Sequence, residues 1–266
     1  MKYKFDHDFH IHSQLSLCSS DPEQNKDRIF QYAKDNKLNS ICVTDHFWDD
    51  NVEGATNWYK IQNFEHLSEI KPLPSDDEVR FMFGCETDFT KDFILGISDK
   101  TFDLFDFVII PTTHMHMVGF VIPEEAANSN ELRAELWVKR LDELLSRPLP
   151  FHKIGIAHLT CPLFNNTSHE NYLQTLDLLP ASDLERIFSV CAEKGVGIEL
   201  NMTDMSFEDS EADHVLRMYR IAKNCGCKFY CGSDTHHPEK FARAADVFNR
   251  AISLLDLSET DKFHIK

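Results

Sequence analysis

The sequence predicts an α/β fold, a parallel sheet closed or nearly closed into a barrel, with its unusual residues at the carboxyl ends of the strands. Three observations carry this expectation. Seven short runs rich in Val, Ile and Phe alternate with longer amphipathic runs, the order that builds a parallel sheet. The length of 266 residues suits an α/β barrel of roughly 250 residues. Histidines and carboxylates recur directly after strand after strand, where barrels carry their active sites.

Strands are expected at Phe5–His10, Ser40–Thr44, Val79–Gly84, Phe107–Pro111, Lys153–Ala157, Gly197–Leu200 and Lys228–Cys231. Several read apolar throughout, as strands buried on both faces do. Helices are expected over Asn25–Asp35, Glu124–Leu145, Ala181–Lys194, Asp209–Cys225 and Pro238–Leu255, where apolar residues fall three and four apart. Leu132, Leu136, Leu141, Leu144 and Leu145 trace one stripe. Pro123 and Ser182-Asp183 read as helix starts and Gly195 as a stop. Residues 48–75 and 85–103 are less regular and read as excursions around the site, with an extra short strand near Phe93–Ile97. No repeat, low-complexity tract or Pro/Gly/Ser linker divides the chain, so residues 1–266 are read as a single domain.

Composition narrows the function. A 42% hydrophobic content with 21 Phe supplies a sizeable core. The formal charge of −17 repels nucleic-acid backbones and anionic membranes, and bound cations would offset part of it. The eight cysteines are scattered and the N-terminus has no apolar signal region. Reduced thiols and a cytoplasmic location are expected. No run approaches a membrane span, and the oligomeric state is not legible.

The unusual residues fall at strand ends. His10-Ile-His12 closes the first strand, Thr44-Asp45-His46 the second, Gly84-Cys-Glu86 the third. Thr112-Thr-His114-Met-His116 follows the fourth, Ala157-His158 the fifth, and Glu199-Leu-Asn201 ends the sixth. Gly232-Ser-Asp234-Thr-His236-His237 closes the seventh. Two residues apart on an extended segment, His10 and His12 point to one side and make a ready chelate. Imidazole and carboxylate together suit Zn, Mn or Fe, and a carboxylate such as Glu86 can bridge two ions. Each piece alone is weak: a lone HxH is more often two ordinary histidines. The recurrence is what calls for a metal centre.

In order and spacing these pieces resemble the PHP family, the polymerase and histidinol phosphatase domains, over nearly the whole chain. The resemblance implies a distorted (β/α)7, TIM-like barrel holding two or three divalent ions. It implies a first metal on His10, His12, Glu86 and Asp234. A second would share Glu86 and add His114, with His116 as the alternative, and His158. A third would take His46, His236 and a residue of the loop after His12. The family often has a His six residues beyond the HxH pair; Cys18 stands there, and Asp21 is another candidate in that loop. A thiolate suits Zn better than Mn or Mg.

The expected function is hydrolysis of a small phosphate ester, such as histidinol phosphate, a nucleotide or a sugar phosphate, by a metal-activated water. Glu86 is the bridging catalytic carboxylate of this reading. His237, or the spare member of the 114/116 pair, is the candidate general acid. The alternatives are an amidohydrolase-type C–N hydrolase and a PHP nuclease or scaffold module; the acidic charge argues against the nuclease. Specificity is expected in residues 47–78 and 115–135, where Phe47, Trp48, Trp58 and Tyr59 either stack on a substrate ring or pack on the barrel.

Overall fold

The structure is a computed structural model that describes residues 1–19 and 21–265. Seven parallel strands pair in sequence order: β1 (His7–Ile11), β2 (Ser40–Val43), β3 (Arg80–Glu86), β4 (Phe107–Pro111), β5 (Ile154–Ala157), β6 (Gly197–Asn201) and β7 (Lys228–Gly232). Six neighbouring pairs form regular ladders. The seventh seam, β7 to β1, closes at the carboxyl end, where Asp234 N donates to His10 O at 2.7 Å and His12 N to Thr235 O at 3.2 Å. The barrel is therefore nearly closed, and its last stitch lies inside the histidine-rich region.

Strand alternation sorts side chains into two cores. Outward residues such as Val43, Phe83, Val108, Ile156, Leu200 and Phe229 pack under the helices. Inward residues Phe9, Cys42, Met82, Phe107, Ile109, Ala157 and Tyr230 fill the lumen, joined from below by Phe263 and Ile265. Both faces of each strand are buried, which is why the strands read as continuous apolar runs.

The helices are α1 (Lys26–Asp35), α2 (Phe64–Ser68), α3 (Asn130–Ser146), α4 (His169–Leu178), α5 (Ala181–Lys194), α6 (Ala212–Asn224) and α7 (Ala244–Leu254). None is long and apolar enough to cross a membrane. Asn25 caps α1 by accepting from Arg28 N, and Gly195 stops α5 in the left-handed conformation at φ 71°. The expected helix from Glu124 is broken: a short 3-10 turn covers Glu124–Ala126, and α3 starts only after Ser129 caps Leu132 N. Its buried face runs through Ala134, Trp137, Leu141, Leu144 and Leu145, while Leu132 is exposed, so the leucine stripe was displaced by one edge. Helices α2 and α4 were not expected from periodicity. The extra strand near Phe93–Ile97 is absent. Phe93 takes φ 59°, a left-handed turn no strand contains, and only an isolated Phe89–Leu95 bridge forms there. All eight cysteines are free thiols.

At the amino ends of the strands, the floor of the barrel, a small polar cluster is fully paired. His7 Nε2 accepts from Cys231 N at 3.1 Å, which leaves Nδ1 to donate to Asp6 Oδ1 at 2.9 Å. Lys262 Nζ lies 2.9 Å from Asp6 Oδ2 and 3.0 Å from Glu259, and Tyr3 OH donates to Phe229 O at 2.7 Å.

Candidate metal centre

At the opposite end the strand termini converge on Glu86. As the last residue of β3 it shares inward parity with Met82 and Gly84, so its carboxylate enters the mouth, where it is buried. Its Oε2 lies 3.5 Å from His10 Nε2, 3.3 Å from His12 Nε2 and 3.2 Å from His46 Nδ1. Its Oε1 lies 3.7 Å from both His114 Nε2 and His158 Nε2. Asp234 stands across from it. Its Oδ1 is 3.5 Å from His10 Nε2 and 3.2 Å from His12 Nε2, and its Oδ2 is 3.5 Å from His158 Nε2. Two carboxylates each face two sets of imidazoles.

Local backbone features aim these groups. A register shift between Asp8 and Ile11 bulges β1, which lets His10 join Phe9 on the inner side. Asp45 accepts Ser13 N and Ser13 Oγ, each at 2.6 Å, and pins the loop that follows His12. His158 and Asp234 both take left-handed conformations, at φ 54° and 51°; strain of this kind persists only where surrounding contacts enforce it. For His158 those contacts are Glu199 Oε2, which accepts its N–H at 3.0 Å, and the hydroxyls of Thr112 and Thr113, which donate to its carbonyl at 2.9 and 2.6 Å.

Behind the imidazoles stand three buried carboxylates. Glu199 Oε1 is 2.6 Å from His10 Nδ1. Asp88 Oδ2 is 3.3 Å from His114 Nδ1 and accepts from Tyr59 OH. Asp204 Oδ1 is 3.7 Å from His158 Nδ1, while its Oδ2 takes Thr160 N and Tyr219 OH. A carboxylate on one ring nitrogen fixes the tautomer and turns the lone pair of the other toward a metal. Glu199 fits only because residue 232 is Gly; a Cβ there would overlap Glu199 Oε1.

The donor set fits divalent ions. Ligand atoms roughly 3–4 Å apart are those that surround one ion at bonds of about 2.1 Å, and the separations above fall in that range. Glu86 Oε1 and His46 Nδ1 face into the cluster, are buried and have no hydrogen-bond partner, whereas the unpaired His158 Nδ1 and Asp204 Oδ1 face each other behind the ring at 3.7 Å. Burial opposes ionisation of Glu86 and Asp234, yet the surrounding imidazoles outweigh it and hold both well below the usual carboxylate range. Burial likewise opposes charge on His10, but Glu199, Glu86 and Asp234 prevail and raise it; His12 is driven up to about 10 by Cys18, Asp234 and Glu86 against its own burial. His46 is pushed down to about 3 and His236 to about 4, chiefly by burial. The carboxylates demand positive charge, which divalent ions supply in exchange for protons.

Ligand atoms of His12, Cys18, His46 and His236 lie within 4.8 Å of one another, so the structure brings Cys18 to the centre. Asp21 falls outside it. Its Oδ2 lies 3.1 Å from His237 Nδ1, and these two group with Glu239 on the rim. Consequently His237, the expected general acid, is directed away from the cavity and does not line it. Of the 114/116 pair, His114 faces Glu86 and is backed by Asp88, whereas His116 is exposed on the cavity wall.

The cavity over the cluster measures about 510 Å³, enough for a small metabolite. Of the four candidate stacking aromatics, Phe47, Trp48 and Tyr59 are buried, and Trp58 is the partly exposed one. Arg133 is buried and donates to the carbonyls of Met115, Phe164 and Ala127; among the described residues the lysine or arginine on the cavity wall is Lys240. Sequence reasoning missed Asp88, Asp204 and Lys240. Asp88 carried a signal, two residues beyond Glu86 as His12 is beyond His10; Asp204 and Lys240 carried none.

No curated protein matches the sequence. Among solved structures, histidinol phosphate phosphatase from Lactococcus lactis subsp. lactis, complexed with zinc, L-histidinol and phosphate, superposes with a TM-score of 0.55 at 18% identity, over 92% of this chain and 93% of that one. At that identity the likeness establishes the fold. The PHP domain family matches residues 8–203, a span from β1 through β6 that carries every strand-end ligand candidate except those after β7. By that match, the chain belongs to the PHP domain family.

Proposed function

We propose that this chain is a metal-dependent phosphoesterase that hydrolyses a small phosphate ester, with residues 1–266 acting as one domain in a reducing, cytoplasmic setting. The observation that carries the reading is Glu86, a buried carboxylate whose two oxygens face different histidines and one of which has no protein partner. His10, His12, Glu86 and Asp234 would hold one ion, Glu86, His114 and His158 a second, and Cys18, His46 and His236 a third, with Zn, Mn or Fe as candidates. Ions bound there would supply Lewis acidity toward the phosphoryl oxygens and an activated water.

The chain's own residues do the rest. Glu199, Asp88 and Asp204 orient the imidazoles. The left-handed turns at His158 and Asp234 bring their side chains back over the lumen. The cavity wall takes the organic part of the ester. His116, exposed on that wall, replaces His237 as the side chain placed beside the leaving oxygen; partial burial and His114 lower its pKa to about 4, so near neutral pH it offers that oxygen an N–H hydrogen bond. Phosphate and histidinol in the similar Lactococcus protein support a small phosphorylated substrate of this kind.

The test is elemental analysis of protein purified without chelator, followed by a phosphatase screen of Mn- and Zn-reconstituted protein, with acylated amines in parallel. The expected outcome is at least two equivalents of transition metal and release of phosphate. Less than one equivalent after reconstitution, or amide cleavage without phosphate release, overturns the reading.

A further inference from the structure

Beyond the metal ligands, the cavity wall includes Trp58, Tyr59, Met117, Leu163, Thr203 and Lys240. Trp58 is 36% exposed, and its ring stands edge-on to His46, with centroids 5.0 Å apart at 65°, and perpendicular to Tyr59 at 4.8 Å. Two neighbours thus fix an indole that borders the cluster itself. Tyr59 is spent on Asp88. Lys240 is exposed, on the 3-10 turn Pro238–Arg243 that follows His236 and His237.

The charges on this wall are one-sided. Among the described residues its carboxylates are Glu86 and Asp234, and both face the histidines. An ammonium in the organic part of a substrate would meet Lys240 and no free carboxylate, which leaves a charge unpaired. A second anionic group would meet Lys240.

Resting on the phosphoesterase reading above, we propose that the preferred ester carries a flat ring and a second negative group, with Trp58 against the ring and Lys240 on the second charge. An amino-alcohol phosphate, whose organic part is cationic, is then a poor substrate. The selectivity comes from the wall and is separate from the metal cluster.

Three phenyl phosphates test this: one with a para carboxylate, one unsubstituted and one with a para aminomethyl group, alongside histidinol phosphate. In Mn-loaded protein, Lys240→Glu should lower the carboxylate-to-aminomethyl ratio of kcat/KM by about tenfold or more, with Lys240→Ala in between. Equal losses on all three esters would place Lys240 on the reacting phosphate and overturn the proposal, as would a wild-type preference for histidinol phosphate. The matching phenylphosphonates, which cannot be hydrolysed, give a second readout. Trp48 and Trp137 are buried, so acrylamide quenching reports Trp58. The para-carboxylate phosphonate should protect Trp58 at lower concentration than the aminomethyl one, and Lys240→Glu should erase that difference. If no ester turns over, the phosphoesterase reading fails, while the phosphonate ranking still decides the charge preference: equal protection by all three sinks it.

Discussion

Among the described residues the barrel has a cluster of histidine and carboxylate at each end, half-buried at the floor and buried at the mouth, and the two are completed in different ways. At the floor, His7, Asp6, Lys262 and Tyr3 satisfy one another and the backbone. At the mouth, Glu86 Oε1 and His46 Nδ1, both facing into the cluster, are buried without a hydrogen-bond partner. Buried polar groups are paired in folded proteins, and an exception calls for a bound ion or a catalytic role. The same residue types thus make a structural clasp where a lysine pairs with the carboxylate, and a candidate metal site where, among the described residues, no lysine or arginine lies within ion-pair distance of Glu86 or Asp234. Residue type alone does not identify a metal centre; the missing counter-charge does.

The largest effect should come from removing the carboxylate at the centre of the mouth. Glu86→Ala and His158→Ala should each lower phosphoester turnover by about a thousandfold or more, and the double variant should add little, because groups that act as a unit are not additive. Near-wild-type turnover in either single variant, with full metal content, would break the contrast.

A smaller loss is expected behind the ligands. Glu199→Gln keeps the shape but weakens the hold on His10 Nδ1 and on the strained His158 backbone. Metal affinity should fall about 10- to 100-fold, and excess Mn should restore turnover. Irreversible loss at saturating metal would make Glu199 a fold residue like those of the floor.

Within the mouth, Cys18 sharpens the comparison further. His10, His114 and His158 have carboxylates behind them, whereas His236 Nδ1 is 2.8 Å from the backbone carbonyl of Asp234 and His46, whose Nδ1 faces Glu86, has no carboxylate hydrogen-bonded to its Nε2 among the described residues. The Cys18 side should therefore hold its ion more weakly. Cys18→His should raise the third equivalent of Mn several-fold and Cys18→Ser should lower it, both by elemental analysis, while two equivalents stay firmly bound. Unchanged stoichiometry in both variants removes Cys18 from the centre.

At the floor, the effect should be on stability alone. Burial opposes ionisation of Asp6, but His7 and Lys262 outweigh it and lower its pKa to about 2. A depressed carboxylate contributes stability above its unfolded pKa of about 4 and loses it as pH falls toward about 2. Asp6→Asn should cost about 1 kcal/mol at neutral pH after allowance for solvent screening and flatten the acid limb of the unfolding curve. Metal content should not change.

Much of this was legible in the sequence. The strands announced themselves because both faces are buried, and β4 and α5 match their expected bounds. The strand-end ligands were visible because a parallel barrel delivers every strand terminus to one mouth. What was hidden depends on distance. Helix α4 lacks a strong apolar stripe, burying Tyr172, Thr175 and Leu176. Asp204 reads as an ordinary loop acid until it lies against His158 and Tyr219. His237 followed His236 in a promising motif, but Pro238 starts a turn that directs it to Asp21.

The seam between β7 and β1 has a consequence for synthesis. Asp234 donates its N–H to His10 O and faces His10 and His12 across the mouth, while Phe263 plugs the lumen beside Phe9's neighbours. A nascent chain with six strands outside the ribosome already displays His10, His12, His46, Glu86, His114 and His158 but has neither the second carboxylate nor the plug. Ring closure is the moment at which residues separated by more than two hundred positions first meet and the second carboxylate joins the histidines.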